Sequence, residues 1–390
     1  MILTRRSLIS LRSIKRIPYH NFHTTIPRFN KDFAFVFDID GVLIRGKKPI
    51  LQAKPALDIL NQHKIPYILM TNGGGVLEKV KADEVTEITG ITPPISPLQV
   101  VQSHTPIKAL ALNHGFNRVL VIGGDGDNAR VVAKDYGFKD IILPIDIVND
   151  NPSVSPHHRF TKEDFARYAQ PVDISKPIDA ILVLNDPRDM NTDIQIVQDL
   201  LNSDNGLIGT KRNIHHIRNL EEPAIPIIFS NNDYIYANDY NLPRFGQGEF
   251  RIITEKLYKV TNNLKKHQKL ESFILGKPFK IQYDFAHHVL IDWNNKLIKD
   301  EHLLGNVEQF LPQLGTEPNE TPFKKIYMVG DNPESDIKGA NDNGWESVLL
   351  RTGVYKDDDY NTMVAKPTVG VFNNVEDAVI EILESHGIKV

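Results

Sequence analysis

Two carboxylates stand two residues apart in Asp38-Ile39-Asp40-Gly41-Val42, directly after the apolar run Phe33-Ala34-Phe35-Val36-Phe37. Gly41 lets the chain bend back sharply, so both acids can converge on one point. Carboxylates that converge without a local cation repel, and a divalent, oxygen-seeking ion relieves that repulsion. In isolation the same residues also read as an acidic strand-to-loop turn, where Asp bonds its own backbone. A second acid pair lies in Gly330-Asp331-Asn332-Pro333-Glu334-Ser335-Asp336, again after an apolar run, Ile326-Tyr327-Met328-Val329. Helix capping would account for one of those acids, but not for the set. Thr71-Asn72, followed by Gly73, Gly74 and Gly75, offers a hydroxyl, an amide and unobstructed backbone N–H groups. Such a turn cradles phosphate oxygens, although Asn-Gly is equally a plain turn signal. Lys277, held between Gly276 and Pro278, can present a fixed positive charge to a phosphoryl group. Acid pair, hydroxyl, lysine and acid pair thus each follow a strand candidate, and together they outweigh the separate turn readings.

This arrangement resembles the haloacid dehalogenase superfamily of phosphohydrolases, whose four motifs match Asp38-Ile39-Asp40-Gly41-Val42, Thr71-Asn72, Gly276-Lys277-Pro278 and Gly330-Asp331 through Asp336. The long interval between the second and third motifs is similar to the class IIA pattern, in which an α/β cap is inserted. The Thr-Asn-Gly-Gly-Gly and Gly-Asp-Asn-Pro-Glu-Ser-Asp variants, together with a basic leader, look most like the cat eye syndrome critical region protein branch. The resemblance implies that Asp38 is the nucleophile of an aspartyl-phosphate intermediate. It implies that Asp40 protonates the leaving oxygen and then activates water. Thr71, Asn72 and Gly73 would contact the phosphate, and Lys277 would neutralise developing charge. Mg2+ would be held by Asp38, the Asp40 carbonyl and Asp331, with Asp336 in support. Phosphoryl transfer asks a protein mainly for such positioning and charge neutralisation. One departure stands out: class IIA enzymes often carry a second Asn where this chain has Gly73.

The elements that must position these residues follow from hydrophobic pattern. Short apolar runs at 33–37, 65–70, 119–122, 180–184, 225–229, 273–275, 326–329, 348–350 and 370–372 predict strands buried on both faces. Helical periodicity lies between most of them, starting near Pro55 and ending with 375–383. Alternating strands and helices predict βαβ units, a mostly parallel sheet, and chemistry at the strands' carboxyl ends. With the resemblance, this gives a doubly wound α/β core formed by 32–102 and 273–390, and an α/β cap at 103–272. Arg45 and cap residues are expected to select the substrate by closing over it. The polar stretches 146–176 and 294–323 read as surface excursions.

Composition narrows the function further. The absence of cysteine removes disulfides, thiolate metal sites and thiol nucleophiles. No apolar stretch approaches the ~20 residues of a membrane-spanning helix, so no transmembrane segment is expected. The first 31 residues carry seven basic side chains and no acid, as a mitochondrial transit peptide does. The rest holds 38 basic against 49 acidic residues, a poor balance for binding nucleic acid. Gly123-Gly124-Asp125-Gly126-Asp127-Asn128 lacks dinucleotide-loop spacing and reads as a strand-to-helix turn in the cap. The pairs His157-His158, His215-His216 and His287-His288 offer at most one ligand each to a given site if extended, and read as surface histidine. The expected partner is a small phosphorylated metabolite, with a homodimer an open expectation and the matrix the expected location. Dehalogenation is disfavoured because Asp40 is placed to donate a proton that a carbon–halogen bond does not need. The alternative from another class is a non-catalytic mitochondrial binding or scaffold protein that keeps the fold.

Overall fold

The computed structural model describes residues 31–390 except 114, 237–239, 241, 243 and 300–310. The segment expected as a transit peptide therefore lies outside the described residues, apart from Lys31. In chain order the main strands are β1 (Phe33–Phe37), β2 (Tyr67–Thr71), β3 (Val100–Gln102), β4 (Arg118–Ile122), β5 (Asp140–Ile142), β6 (Ala180–Val183), β7 (Ile227–Phe229), β8 (Phe273–Ile274), β9 (Lys325–Gly330), β10 (Glu346–Leu350) and β11 (Gly370–Phe372). The longer helices are α1 (Ala53–Gln62), α2 (Glu78–Thr89), α3 (Asn128–Asp135), α4 (Pro144–Asp150), α5 (Lys162–Tyr168), α6 (Met190–Leu201), α7 (Gln247–Thr261), α8 (Lys280–Ile298) and α9 (Val375–Ser385).

Two parallel sheets result. The first runs β11-β10-β9-β1-β2-β3. Its order in sequence is that of a doubly wound nucleotide-binding sheet, and it reverses direction between β1 and β9. All five β1 residues are buried, with Phe33, Phe35 and Phe37 facing one helical layer and Ala34 and Val36 the other. Each fully buried Phe contributes roughly 1.5–3 kcal/mol, which is why an uninterrupted apolar run makes a central strand.

The second sheet runs β8-β7-β6-β4-β5, again parallel, and its reversal falls between β4 and β6. Phe273 was expected to open the return to the core. Instead β8 pairs with Ile228 and Phe229 as the edge of this second sheet, so the chain re-enters the first only afterwards. Short β3 and β5, of three residues each, escape hydropathy patterning. The stretch 146–176 is also more than an excursion: it includes most of α4 and all of α5. Asp146 is buried there, pairing with Arg130 on α3 at 2.9 Å. In a hydropathy profile a buried ion pair looks the same as two exposed charged residues. In 294–323, the first residues complete α8, and 300–310 lie outside the described residues.

Candidate active site

Asp38 ends β1 and Asp331 follows β9, so the two acids flank the point where the first sheet reverses. Helices leave the sheet on opposite faces there and open a crevice at the strands' carboxyl ends. The Asp38 N–H donates to the Val329 carbonyl at 2.9 Å, tying the turn after β1 to its neighbour. Carboxylate oxygens of Asp38, Asp331 and Asp336 lie within 4.8 Å of one another, all buried.

Glycine makes this crowding feasible. At Gly41 the backbone is left-handed, with φ of 83°. A Cβ there would lie 2.6 Å from Asp331 Oδ2, inside van der Waals contact. Asp331 Oδ2 also accepts the Val354 N–H at 2.6 Å. One Asp336 oxygen accepts the N–H groups of Asp331 and Asn332 at 3.1 and 3.0 Å. Asp336 thus braces the loop that presents Asp331.

Lys277 is only 1% exposed, and its Nζ sits 2.7 Å from both Asp38 Oδ1 and Asp336 Oδ1. Burial alone would push its pKa down, but the two carboxylates outweigh burial and raise it, so the ammonium stays charged. Burial drives Asp38 well above the usual carboxylate range against the pull of Lys277, and the neighbouring acids add to the rise. Asp331 is pushed up to about 7 by burial and then by Asp336. A single lysine does not balance three acids, so the cluster remains short of positive charge. Hard carboxylate oxygens in that state suit a divalent cation such as Mg2+.

Asp40 faces the cleft with solvent-exposed surface, yet the protein packed around its carboxyl raises its pKa through burial. Its Oδ2 lies 3.7 Å from where a Cβ on Gly73 would stand, which places it beside the turn after β2. Thr71 Oγ1 accepts the Gly73 N–H at 2.9 Å, and its own proton remains to be donated.

Asn72 differs from expectation. Its Oδ1 accepts the Lys277 N–H at 2.7 Å, while Nδ2 donates to the Lys277 carbonyl at 3.0 Å and to Asp233 Oδ1 at 2.9 Å. The side chain is therefore spent on holding the lysine loop and the second sheet, with no donor left for phosphate. Arg45, expected to help choose substrate, stands exposed in a two-residue strand paired with Lys48–Pro49.

Sequence reasoning gave Asp233 no role at the site. It follows β7, and burial lifts its pKa to about 6 although the Asn72 bond opposes the rise. The signal was the one used for Asp38, an acid shortly after an apolar run, but Ser230-Asn231-Asn232 intervenes. A second group overlooked is Glu78 with His104, Thr105, Lys108 and Tyr136. Tyr136, from just after α3, donates to Glu78 at 2.6 Å and accepts from His104 Nδ1 at 2.6 Å. Lys108 reaches the other Glu78 oxygen at 3.0 Å. This buried network joins α2 of the first layer to the second sheet's helix. Burial pushes the His104 pKa down to about 4.

A parallel α/β sheet carrying an acid cluster and a hydroxyl-bearing turn at its reversal point, with a buried lysine brought to it from the turn after β8 of the second sheet, can gather positive charge and carboxylates around one ligand. Comparisons with known proteins identify a hydrolase family. Residues 35–139 match the family model "Haloacid dehalogenase-like hydrolase", and residues 274–378 match "HAD-hyrolase-like". Mitochondrial hydrolase YKR070W of Saccharomyces cerevisiae is 45% identical over 94% of this chain and 98% of its own length. A Schizosaccharomyces pombe cardiolipin synthase (CMP-forming)/mitochondrial hydrolase fusion protein is 36% identical over 91% of this chain and 54% of its own length. Among solved structures, p-nitrophenyl phosphatase from Archaeoglobus fulgidus is similar with a TM-score of 0.53, 15% identity and coverage of 90% and 99%. A 4-nitrophenylphosphatase from Thermotoga maritima gives 0.52, 14%, and 90% and 97%. The chain belongs to the haloacid dehalogenase-like hydrolases and is a hydrolase with that family's α/β fold.

Proposed function

We propose that this protein is a Mg2+-dependent phosphatase acting on a small phosphate monoester, with 32–102 and 275–390 as catalytic core and 103–274 as cap, β8 being counted with the sheet it joins. The observation that carries the reading is Lys277 Nζ held 2.7 Å from both Asp38 and Asp336, with Asp331 in the same buried pocket. In this reading an Asp38 oxygen attacks phosphorus, forming the aspartyl phosphate as the ester P–O bond breaks. Asp40, its pKa raised, gives its proton to the departing oxygen. Asp40 then takes a proton from water as that water attacks phosphorus, releasing phosphate and restoring Asp38. Lys277 offsets charge on the phosphoryl oxygens, and Thr71 donates its hydroxyl to one of them. Bound Mg2+, held by Asp38, Asp331 and the Asp40 carbonyl with Asp336 behind, would supply further charge neutralisation at the phosphoryl group. Asn72 acts one step back, fixing Lys277.

Mitochondrial location is part of the proposal. It is supported by the acid-free basic leader and by the names of the two relatives. The deciding experiment is phosphate release from an aryl phosphate with and without Mg2+, comparing wild type with Asp38→Asn. Mg2+-dependent turnover that falls at least ~10³-fold in the variant is expected. Equal rates would leave the scaffold alternative standing.

A further inference from the structure

Helix α7 is apolar on two opposite faces. Phe250, Thr254 and Tyr258 are buried, and Phe250 and Tyr258 pack into the core of the second sheet. Ile252, Leu257 and Val260, spaced along the other face, are 47%, 39% and 62% exposed. A surface helix ordinarily gives its outer face to polar residues, so a second apolar stripe marks a place that something covers. At the start of α7 stands an antiparallel pair of short strands, Ile235–Tyr236 with Arg244–Phe245. The Gly246 and Gly248 N–H groups donate to the Tyr234 and Asp233 carbonyls, each at 2.9 Å, and fix that pair against the helix. Tyr234, Ile235, Tyr236 and Phe245 are exposed there. Nearly half of the large apolar side chains exposed among the described residues fall within 234–260, so this is one patch and not scatter.

The patch is edged with positive charge. Lys256 stands in the stripe itself, one turn from Ile252 and one from Val260. Lys259 Nζ donates to the Lys266 and Gln268 carbonyls, each at 2.8 Å, which folds the segment after α7 back against the helix end. That segment carries Lys265, Lys266 and Lys269, all exposed. Arg251 pairs with Glu255 at 2.8 Å, but among the described residues no ion pair uses Lys256, Lys265, Lys266 or Lys269. Residues 244–269 hold seven basic side chains and two acids, within a body of 38 against 49.

What covers this face must therefore be apolar and negatively charged at once. A second copy of the chain fits poorly. Of the two acids it would bring, Glu255 is already held by Arg251 and Ser272, which leaves Glu249 for the lysines. An anionic bilayer meets both demands. Its acyl boundary takes the apolar stripe, and its phosphates take lysine ammoniums whose stems lie along apolar surface. Tyrosine rings suit the headgroup level, where one end is apolar and the other wet.

We propose that α7 and the strand pair before it form a docking face for an anionic lipid bilayer, with Ile252, Leu257, Val260 and Phe245 at the acyl boundary and the neighbouring lysines on headgroup phosphates. The proposal does not rest on the phosphatase reading, because its readout is binding and not turnover. The test is co-sedimentation of the full chain with vesicles of phosphatidylcholine alone, or mixed equally with phosphatidylglycerol. Binding at least about tenfold tighter to the mixed vesicles is expected, weakening as salt is added. The basic leader is common to every form of the chain, so variants assign the binding to this face. Ile252→Glu with Val260→Glu, and separately Lys265→Glu with Lys266→Glu, should each weaken it at least about tenfold while the urea midpoint stays unchanged. Equal binding to the two vesicles, or anionic binding that either folded variant retains, would overturn the assignment. So would a wild-type dimer that the Ile252 and Val260 substitutions split in light scattering, since a second copy would then be the cover.

Discussion

At the scale of single residues, Lys277 and Asn72 show how a charge is made stationary. Nζ of Lys277 touches two carboxylates, and both main-chain polar groups of the same residue bond the Asn72 amide. A lysine stem has four rotatable carbons, so without that clamp the ammonium would sample many positions. Asn72→Ala is therefore expected to lower kcat about 10–100-fold, with a smaller effect on KM, because misplacement by an ångström is felt in the reacting geometry. Stopped kinetics on an aryl phosphate would check this, and an unchanged kcat would assign the amide a purely structural role. The lysine's own contribution was legible in the sequence through its Gly and Pro neighbours. That of Asn72 was not, because an amide beside a Thr at a strand end looks like a phosphate ligand until its partners, 161 and 205 residues away, are known.

At the scale of elements, the turn after β2 depends on what packs behind it. A Cβ on Gly74 would come within 2.6 Å of His104 Cδ2 and 3.1 Å of the Leu184 carbonyl. Gly74→Ala should cost roughly 1–3 kcal/mol in denaturant unfolding, as overpacking does, and reduce turnover with it. His104 also makes the protein sensitive to acid. Its folded pKa of about 4 lies below the ordinary 6.5, so between those values the unfolded chain binds the proton and the folded one does not. Stability is then fully present above pH 6.5 and falls as pH drops towards 4, by about 3 kcal/mol from this one group. Glu78 acts in the same direction. Burial opposes its ionisation, but Lys108 and its other partners prevail, so its pKa is lowered and its contribution also fades on acidification. Urea midpoints across that range should show the slope, and His104→Gln should flatten it. A midpoint that does not move between pH 7 and 5 would contradict the burial of a neutral imidazole.

At the scale of the whole molecule, the two sheets meet through loops that follow the carboxyl ends of β2, β6 and β7. Asn185 donates to the Gly74 carbonyl at 3.0 Å, and Asn231 to the Asn72 carbonyl at 3.0 Å. A ligand of the acid cluster should stabilise this entire arrangement by mass action. Added MgCl2 is expected to raise Tm by at least about 2 °C, an effect that Asp331→Asn removes. The absence of a shift in differential scanning fluorimetry would count against the metal. The amino-acid order alone was enough for most of the strands, the four motifs and the alternation that makes a parallel sheet, because a fully buried strand must be apolar along its length and its chemistry must follow where that run stops. It could not say that β8 joins the second sheet, that Asn72 and Asp233 are one contact, or that Tyr136 bonds both Glu78 and His104. Those facts depend on distances between groups far apart in the chain, and a local pattern of hydropathy carries no information about which distant polar group a buried one will meet.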